Sequence, residues 1–314
     1  RDSKGRPLTY SHPTSFTRTT LYNMNSQSIM EVNLIGGLNN KLFCFFSACE
    51  IAIRHGTQIL EPKLGWKRKI LFSEIYDLDL FNANMRSHNN DKDLLIRDTD
   101  KEKHEITKYE QDLWGLSARA ITKMRNQCII SKKSGLITVL QSLELNKQNK
   151  SYANQYKVDN TNSIQIRIED DWIAYSKAKQ NEIGENEVLL IDLSNLIDLY
   201  SDFSGENIFF TTGQNHRHIK NKFKSNNIYS EYFYDDRLEY EVNAAINFEI
   251  CCRSKNFIGL TRSTFTNLVA LKRALNNNDN SYIYNLNNKI LRRVDSGLHH
   301  IPMDAISKPT SFSD

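Results

Sequence analysis

The sequence predicts an α/β protein made of two facing, doubly wound domains. In the first half, a strand over 30–34, a glycine turn at 36–40, a helix over 41–55 and a strand over 57–62 form one α/β unit. In the second half, strands and helices alternate several times. A polar stretch over 146–162 without clear periodicity separates the halves, so two Rossmann-like domains with a cleft between them fit the pattern.

The helix of the first unit rests on apolar residues at helical spacing, from Leu42 to Ile53, and Gly56 is expected to end it. Residues 63–150 are less regular. We predict a short helix and loop over 72–80, a strand over 93–97 and a helix over 112–123.

In the second half, alternating or continuous apolar runs predict strands. They cover 163–168, 207–213, 227–233, 256–260 and 282–286, the last of which we expect to be the final strand. Helical spacing predicts helices over 171–179, 216–223, 240–253 and 265–275, with a further element in 187–200.

These elements predict four segments. Residues 1–28 form a polar tail or linker, 29–155 an N-terminal Rossmann-like domain, 156–295 a C-terminal Rossmann-like domain, and 296–314 a loose tail.

Charge and hydropathy exclude several classes of protein. The 314 residues carry 41 basic and 37 acidic side chains, a net charge of +4 that is too small to indicate nucleic-acid binding. No stretch reaches the roughly 18 consecutive apolar residues of a membrane span. Because the chain starts with Arg1 and not with Met, we expect either a processed form or one domain of a longer polypeptide, and a targeting segment can lie elsewhere.

The five cysteines favour a reducing compartment. Cys251 and Cys252 are adjacent, the total is odd, and no paired C-x₂-C spacing indicates a zinc site. We therefore expect reduced, mostly buried thiols and a cytoplasmic location.

The first candidate site is the turn Gly36-Gly37-Leu38-Asn39-Asn40, between a strand and a helix. Glycines allow a ligand to approach the backbone, and the N-terminus of the helix offers free N–H groups to an anion. The two asparagines can bind a sugar or a diphosphate, or they can simply cap the helix.

The second candidate is the stretch from Gln165 to Trp172. A strand period of two places Gln165, Arg167 and Glu169 on one face, and polar groups on an interior strand are costly without a charged partner. The guanidinium fork of Arg167 matches phosphate oxygens. The alternative is an Arg–Glu pair on an edge strand.

The third candidate is the stretch from Phe257 to Thr266, where a buried strand enters a hydroxyl-rich turn at the start of a helix. Ser263 and Thr264 can bind phosphate through hydroxyl and backbone N–H groups. The alternative is an ordinary Ser/Thr cap of the helix.

Other residues carry weaker signals. We expect His216 and His218 to lie on a solvated face, and His299 and His300 on the surface of the tail. Asp235 and Asp236 are adjacent rather than spaced as D-x-D, so no metal site is expected. Trp172 is expected to pack in the core, with a sugar platform as the alternative.

Together, these three stretches resemble the O-fucosyltransferase-like superfamily of GT-B glycosyltransferases, and they follow the same order. The turn at Gly36 is similar to the family's G-G-x-N-[NQ] loop, Gln165–Trp172 to its H-x-R-x-E-x-D motif, and Phe257–Thr266 to its F-I-G-x-x-x-S-[ST]-F-[ST] motif. Thr211-Thr212-Gly213 falls where the family has A-T-D. Similar domains occur in multidomain glycosyltransferases of large algal viruses.

The resemblance implies a metal-independent enzyme that transfers L-fucose from GDP-L-fucose to a hydroxyl of a glycan or glycoprotein. It also implies that the N-terminal domain (29–155) lies on the acceptor side and that the C-terminal domain (156–295) binds the nucleotide sugar. By position, Arg167 holds the β-phosphate, and Ser263, Thr264 and Phe265 form the diphosphate loop. The further donor-binding residues that it implies come from both domains: Gly36, Gly37, Asn39, Asn40, Gln165, Thr212 and Asn247. Glu249, which is close to Asn247, can substitute for an acidic residue that relatives place near the nucleoside.

Two departures leave the donor open. Gln165 stands where the family has His, and Gly213 where it has Asp. The alternatives are another GT-B transferase with a rhamnosyl or xylosyl donor, and an inactive glycan-binding domain. With Arg167 stabilising the leaving diphosphate, Glu169 and Asp171 are the candidates for the catalytic base.

Overall fold

The structure is a computed structural model that describes residues 28–65, 68–109, 113, 135–179, 181, 186–293 and 312–313. The first domain contains a parallel sheet of four strands in the order β3-β2-β1-β4. Its strands are β1 (Ile29–Val32), β2 (Gln58–Leu60), β3 (Leu95–Ile96) and β4 (Ile106–Tyr109). Its helices are α1 (Leu38–His55), α2 (Phe72–Ile75), α3 (Leu78–Met85) and α4 (Gly135–Ser142).

Helix α1 starts three residues earlier than predicted. Gly37 adopts an extended conformation as the residue before the helix, so Leu38, Asn39 and Asn40 form the first helical turn instead of a loop. The helix ends as predicted at Gly56, whose φ of +61° lies in the left-handed region that suits glycine. The helix is buried on several sides because it contacts both its own domain and helices of the second domain.

The predicted strands of this domain are present but shorter. Strand β4 was not predicted, and it completes the sheet beside β1. The predicted helix over 112–123 and the tail over 1–27 lie outside the described residues, except for the buried Leu113.

The second domain contains a sheet of seven strands in the order β11-β10-β9-β8-β5-β6-β7. Adjacent strands within the run β9-β8-β5-β6-β7 are parallel to each other. The strands of this sheet are β5 (Asn162–Gln165), β6 (Ile208–Thr211), β7 (Ser230–Glu231), β8 (Phe257–Gly259), β9 (Ser281–Leu286), β10 (Lys289–Arg293) and β11 (Phe312–Ser313). The helices from here on are α5 (Lys147–Asn154), α6 (Asp170–Lys179), α7 (Leu193–Phe203), α8 (His216–Ser225), α9 (Tyr240–Arg253) and α10 (Thr264–Leu275).

The expectation that β9 is the last strand is wrong. Asn287 and Asn288 both have positive φ, 56° and 52°, and they connect β9 to the antiparallel β10. Asparagine tolerates this conformation, which is typical of tight hairpin turns. In the predicted tail, Phe312–Ser313 pairs with Arg292 and Arg293, whereas residues 294–311 lie outside the described residues.

The polar stretch over 146–162, which we predicted to separate the two halves, contains the helix α5. The side chain of Asn146 caps this helix by accepting from the Asn149 N–H, and the Asn149 amide donates to the carbonyls of Glu74 and Ile75. The helix also packs on α9 of the second domain. These polar residues therefore cap the helix and attach it to the first domain.

Two further expectations concern membranes and cysteines. Within the described ranges, no helix is both long and apolar enough to cross a membrane. Cys44, Cys49 and Cys251 are buried free thiols, Cys252 is half-buried, and Cys128 lies outside the described residues.

Candidate functional site

The carboxyl ends of β5 and β6 face the N-termini of α1 and α10 across one cleft. Ligands of open α/β sheets bind at such strand ends. The cleft is lined by Gly37, Leu38, Asn39, Asn40, Gln165, Arg167, Glu169, Asp171, Thr211, Thr212, Gly213, Tyr240, Ala244, Asn247, Thr264 and Phe265.

Two helix N-termini meet in this cleft. Helix α1 follows Gly37, which provides no side-chain cap, and α10 follows Ser263, whose hydroxyl accepts from the Thr266 N–H. The Thr264 hydroxyl donates to Asn40 Oδ1 at 2.6 Å and so connects the two domains. Both helices direct the positive ends of their dipoles at the same space, which therefore favours an anion.

Arg167 lies just beyond the end of β5, in the middle of the sheet. Its Nε donates to Glu169 Oε2 at 2.8 Å, and its Nη2 lies 3.1 Å from Asp171 Oδ2. Its guanidinium carbon is 4.6 Å from the centre of the Trp172 ring. Burial lowers the pKa of Arg167, but the two carboxylates outweigh it and the net shift is upward. The two side chains thus form an Arg–Glu pair, as in the alternative given above, but the pair lies just beyond the end of an interior strand and not on an edge strand.

Strand alternation does not explain how Glu169 and Asp171 reach the cleft. Strand β5 ends at Gln165, and Asp171 already lies in the first turn of α6. Glu169 Oε1 accepts from the Gly213 N–H at 2.6 Å, so the carboxylate of Glu169 bridges Arg167 and the loop after β6. A β-carbon at position 213 would lie 3.0 Å from this carboxylate, so glycine makes the close approach possible.

Gln165 has a structural role as well as a place in the cleft. Its Oε1 accepts from the hydroxyls of Ser263, at 2.9 Å, and Thr266, at 2.5 Å. Arg262, which directly precedes Ser263 in the turn, has a φ of +62° and is held by a buried ion pair with Glu187, at 2.9 Å. The turn at the start of α10 is therefore fixed before any ligand arrives.

Two buried amide oxygens in the cleft have no hydrogen-bond partner among the described residues. They are Oδ1 of Asn39 and Oδ1 of Asn247. Buried polar atoms normally have a partner, so these two are available to a ligand. Glu249, which we expected near the nucleoside, does not line the cleft; its carboxylate lies 3.7 Å from Lys272 Nζ. Glu249 is two positions after Asn247 in α9, and this offset turns the side chain of Glu249 to another face of the helix.

The cleft thus brings together most of the residues singled out in the sequence. Besides Glu249, the exceptions are Gly36 and Ser263: Gly36 precedes the lining residue Gly37, and Ser263 is buried and precedes the lining residue Thr264. Tyr240 and Ala244, at the start of α9, line the cleft although no local motif marks them. The fold alone places this helix there.

The weaker candidates have other positions. His216 is half-buried and stacks between Tyr232 and Tyr234, so the expected solvated face holds for His218 but is wrong for His216. Asp235 pairs with Arg237 at 2.5 Å, and the described residues contain no group of three or more potential metal ligands. Trp172 is 4% exposed and donates to the Leu189 carbonyl, which is a packing role. His299 and His300 lie outside the described residues.

Several solved structures have a fold similar to that of this chain. POFUT1 in complex with GDP aligns over 83% of this chain and 99% of its own, with a TM-score of 0.56 and 10% sequence identity. POFUT1 in complex with GDP-fucose aligns over 81% and 95%, with a TM-score of 0.53 and 10% identity. The chain has the GT-B fold.

The cleft described above therefore lies between the two Rossmann-like domains of the GT-B fold. A weaker likeness, with a TM-score of 0.49 and 10% identity, is found to the NodZ fucosyltransferase from Bradyrhizobium, over 78% of this chain and 92% of that one. No protein-family model and no curated protein sequence matches the chain.

Proposed function

We propose that this chain is a glycosyltransferase that takes its sugar from a nucleoside diphosphate. The observation that carries the proposal is the meeting of Arg167 with the N-termini of α1 and α10 in one interdomain cleft. A diphosphate is an anion that accepts several hydrogen bonds, and this arrangement offers a guanidinium fork and two sets of backbone N–H groups.

The same groups suit the chemistry of transfer. When the bond between sugar and diphosphate breaks, negative charge grows on the leaving β-phosphate. Arg167 and the N–H groups near Thr264 are fixed in place and stabilise that charge more strongly than they stabilise the bound substrate. In the free protein, Glu169 and Asp171 neutralise Arg167, so a donor phosphate competes with the exposed partner, Asp171, for the guanidinium.

Asp171 is the better candidate for the base that accepts the proton of the acceptor hydroxyl. Glu169 is already held by Arg167 and by the Gly213 N–H. The side chain of Asp171 is 78% exposed and reaches the cleft from the first turn of α6. A base has to touch the incoming hydroxyl, and the more accessible carboxylate can do so.

The specific donor we propose is GDP-L-fucose, transferred to a hydroxyl of a glycan or glycoprotein without a metal. The three motifs and the likeness in fold to POFUT1 in complex with GDP-fucose support this donor. Transfer should then persist in the presence of a chelator such as EDTA.

A transferase for a different nucleotide sugar is the second candidate. It is favoured by Gln165, whose amide oxygen is already occupied by the hydroxyls of Ser263 and Thr266 and cannot accept from a base. It is also favoured by Gly213, which offers no side chain to the ligand.

A thermal-shift screen with GDP, UDP and dTDP distinguishes the candidates, because a ligand that binds the folded state raises the melting temperature. We expect GDP to give the largest shift, and GDP-fucose to be hydrolysed or transferred. A larger shift with UDP or dTDP would favour the second candidate. If no nucleotide binds, the chain is not a nucleotide-sugar transferase, and a glycan-binding domain becomes the better explanation.

A further inference from the structure

A second and larger groove lies beside the donor cleft, at the outer end of the second sheet. It encloses about 920 Å³ and is formed where β7 ends, where α8 begins and where α5 ends. Its walls are rich in rings, including Tyr152, Tyr156, His216, Tyr232 and Tyr234. The three motifs of the sequence do not include any of these residues.

Three of these rings form a stack. The ring of His216 lies between Tyr232, with centres 5.1 Å apart, and Tyr234, with centres 4.6 Å apart. The interplanar angles are 29° and 25°. Tyr234 is at the outer end of the stack and is 52% exposed. The stack therefore ends in an aromatic ring that is open to solvent.

Buried amides hold this platform in place. Asn243 of α9 accepts from the Asp235 N–H and donates to the Asp235 carbonyl, both at 2.9 Å. One turn later, Asn247 donates to the Phe233 carbonyl at 3.1 Å. The backbone on both sides of Tyr234 is thus fixed, so a ligand that stacks there loses little free energy to ordering the protein.

The groove adjoins the donor cleft, because residues that line one are hydrogen-bonded to residues that line the other. His216 Nε2 lies 3.1 Å from the carbonyl oxygen of Thr212, which lines the cleft, and Asn247, which lines the cleft, is bonded to Phe233, which lines the groove. The cleft alone offers about 140 Å³. Ligand sites are usually roughly 300–1,000 Å³, so a nucleotide sugar needs more room than the cleft provides.

The charges beside the stack are mixed. Arg217 and Arg237 line the groove together with Asp235 and Asp236, and Asp235 and Arg237 pair with each other. This balance does not favour a second phosphate. It suits a neutral, flat group attached to a phosphate that is bound elsewhere.

We propose that the nucleobase of the donor extends from the cleft into this groove and stacks on Tyr234. This inference rests on the proposed function, since it assumes that the cleft binds the diphosphate. The diphosphate lies at Arg167 and Thr264, the sugar points toward Asn39 and Asn40 of the first domain, and the base passes Thr212 into the second domain. Asn247 Oδ1, which is buried and unpartnered at the junction, accepts from an N–H of the base.

The experiment compares the wild type with Tyr234→Ala and Tyr229→Ala by calorimetric titration with GDP, UDP and inorganic pyrophosphate. Tyr229 is a matched control, because it is 59% exposed on the same domain but outside the groove. Loss of one stacked base costs roughly 5- to 150-fold in affinity. We expect Tyr234→Ala to weaken nucleotide binding about tenfold or more and to leave pyrophosphate binding unchanged, while Tyr229→Ala changes neither and Tyr234→Phe restores the nucleotide affinity.

The possible outcomes are separable. Unchanged nucleotide affinity in Tyr234→Ala overturns the stacking and leaves the proposed function intact. An equal loss for pyrophosphate also overturns it, because the cleft itself would then be disturbed. A rise in the acceptor KM with unchanged nucleotide affinity would assign the groove to the acceptor instead. If the wild type binds pyrophosphate but neither nucleotide, both the proposed function and this inference fail.

Discussion

The hydroxyl of Thr264 donates a 2.6 Å hydrogen bond to Oδ1 of Asn40, and this bond connects the first turns of two helices from different domains. The two residues are 224 positions apart in the sequence. An exposed ion pair, Arg68–Glu239 at 2.8 Å, also connects the domains. The hydrogen bond is partly buried and the ion pair is exposed. Double-mutant cycles on the two pairs therefore measure how much each kind of contact contributes to stability.

A double-mutant cycle of Asn40→Ala and Thr264→Val should show coupling of about 1 kcal/mol in the free energy of unfolding, because a partly buried hydrogen bond contributes roughly that much. The measurement is urea unfolding without nucleotide. The same cycle for Arg68→Ala and Glu239→Ala should give less than about 0.5 kcal/mol, as is usual for exposed pairs. Additive effects of the Asn40 and Thr264 variants would show that their bond does not stabilise the interface.

Arg167→Ala should weaken nucleotide binding by roughly 10- to 100-fold, since a hydrogen bond to a charged group contributes about 1.5–3 kcal/mol. The fold should persist, because Glu169 keeps its bond to the Gly213 N–H. Arg167→Lys should recover only part of the affinity, because it keeps the charge but not the fork. Calorimetry measures binding, with Arg292→Ala, which removes an exposed arginine paired with Asp279, as the control. Near-normal binding by Arg167→Ala would contradict the phosphate role.

Gly213→Ala should lower the free energy of unfolding by about 1 kcal/mol, the size of one lost hydrogen bond. The new methyl group would lie 3.0 Å from Glu169 Oε1 and push the carboxylate away from the backbone. Gly37→Ala is the control, because a β-carbon there meets no atom within 4 Å. Urea unfolding of both variants gives the comparison. Equal stability of the two would mean that Glu169 moves aside without cost.

His216 should make the protein less stable in acid. Burial lowers the pKa of His216 below 6.5, although its bond to Thr212 and the charge of Glu169 oppose the shift. Above about pH 6.5 the ring is neutral in both states, and the free energy of unfolding has its full value. It decreases as the pH falls through the lowered folded-state pKa, because the unfolded chain binds the proton more readily.

The measurement for this pH effect is urea unfolding at pH 7.5 and 5.5. Wild type should lose more stability between the two than His216→Gln does. His218→Gln, which changes an exposed residue on the same helix, should follow the wild type. If the His216 variant shows the same pH dependence as the wild type, protonation of this ring does not control stability.

Much of this architecture was predictable because its signals are local. A glycine in the left-handed conformation ends α1, apolar periodicity marks α9 over the predicted residues, and the Ser/Thr turn precedes α10. Turns are harder to predict from the sequence. Asn287 and Asn288 form a hairpin turn that apolar patterning does not indicate, so β10 was not predicted. The helix within 146–162 could not be predicted from apolar spacing, because it buries few apolar residues and is attached to the first domain by asparagine side chains.

The order of amino acids is enough to identify which residues have the chemistry to bind an anion: Arg167, the Gly36–Asn40 turn and the Ser263–Thr264 turn. It could not determine that Glu169 and Asp171 neutralise that arginine in the free protein, that Asn40 bonds to Thr264, or that Tyr234 ends a stack of rings. Local conformation depends on neighbours in the chain, so short motifs reveal it. These contacts join residues on different strands, helices and domains, and only the packing of the two sheets and their helices brings them within hydrogen-bonding or stacking distance.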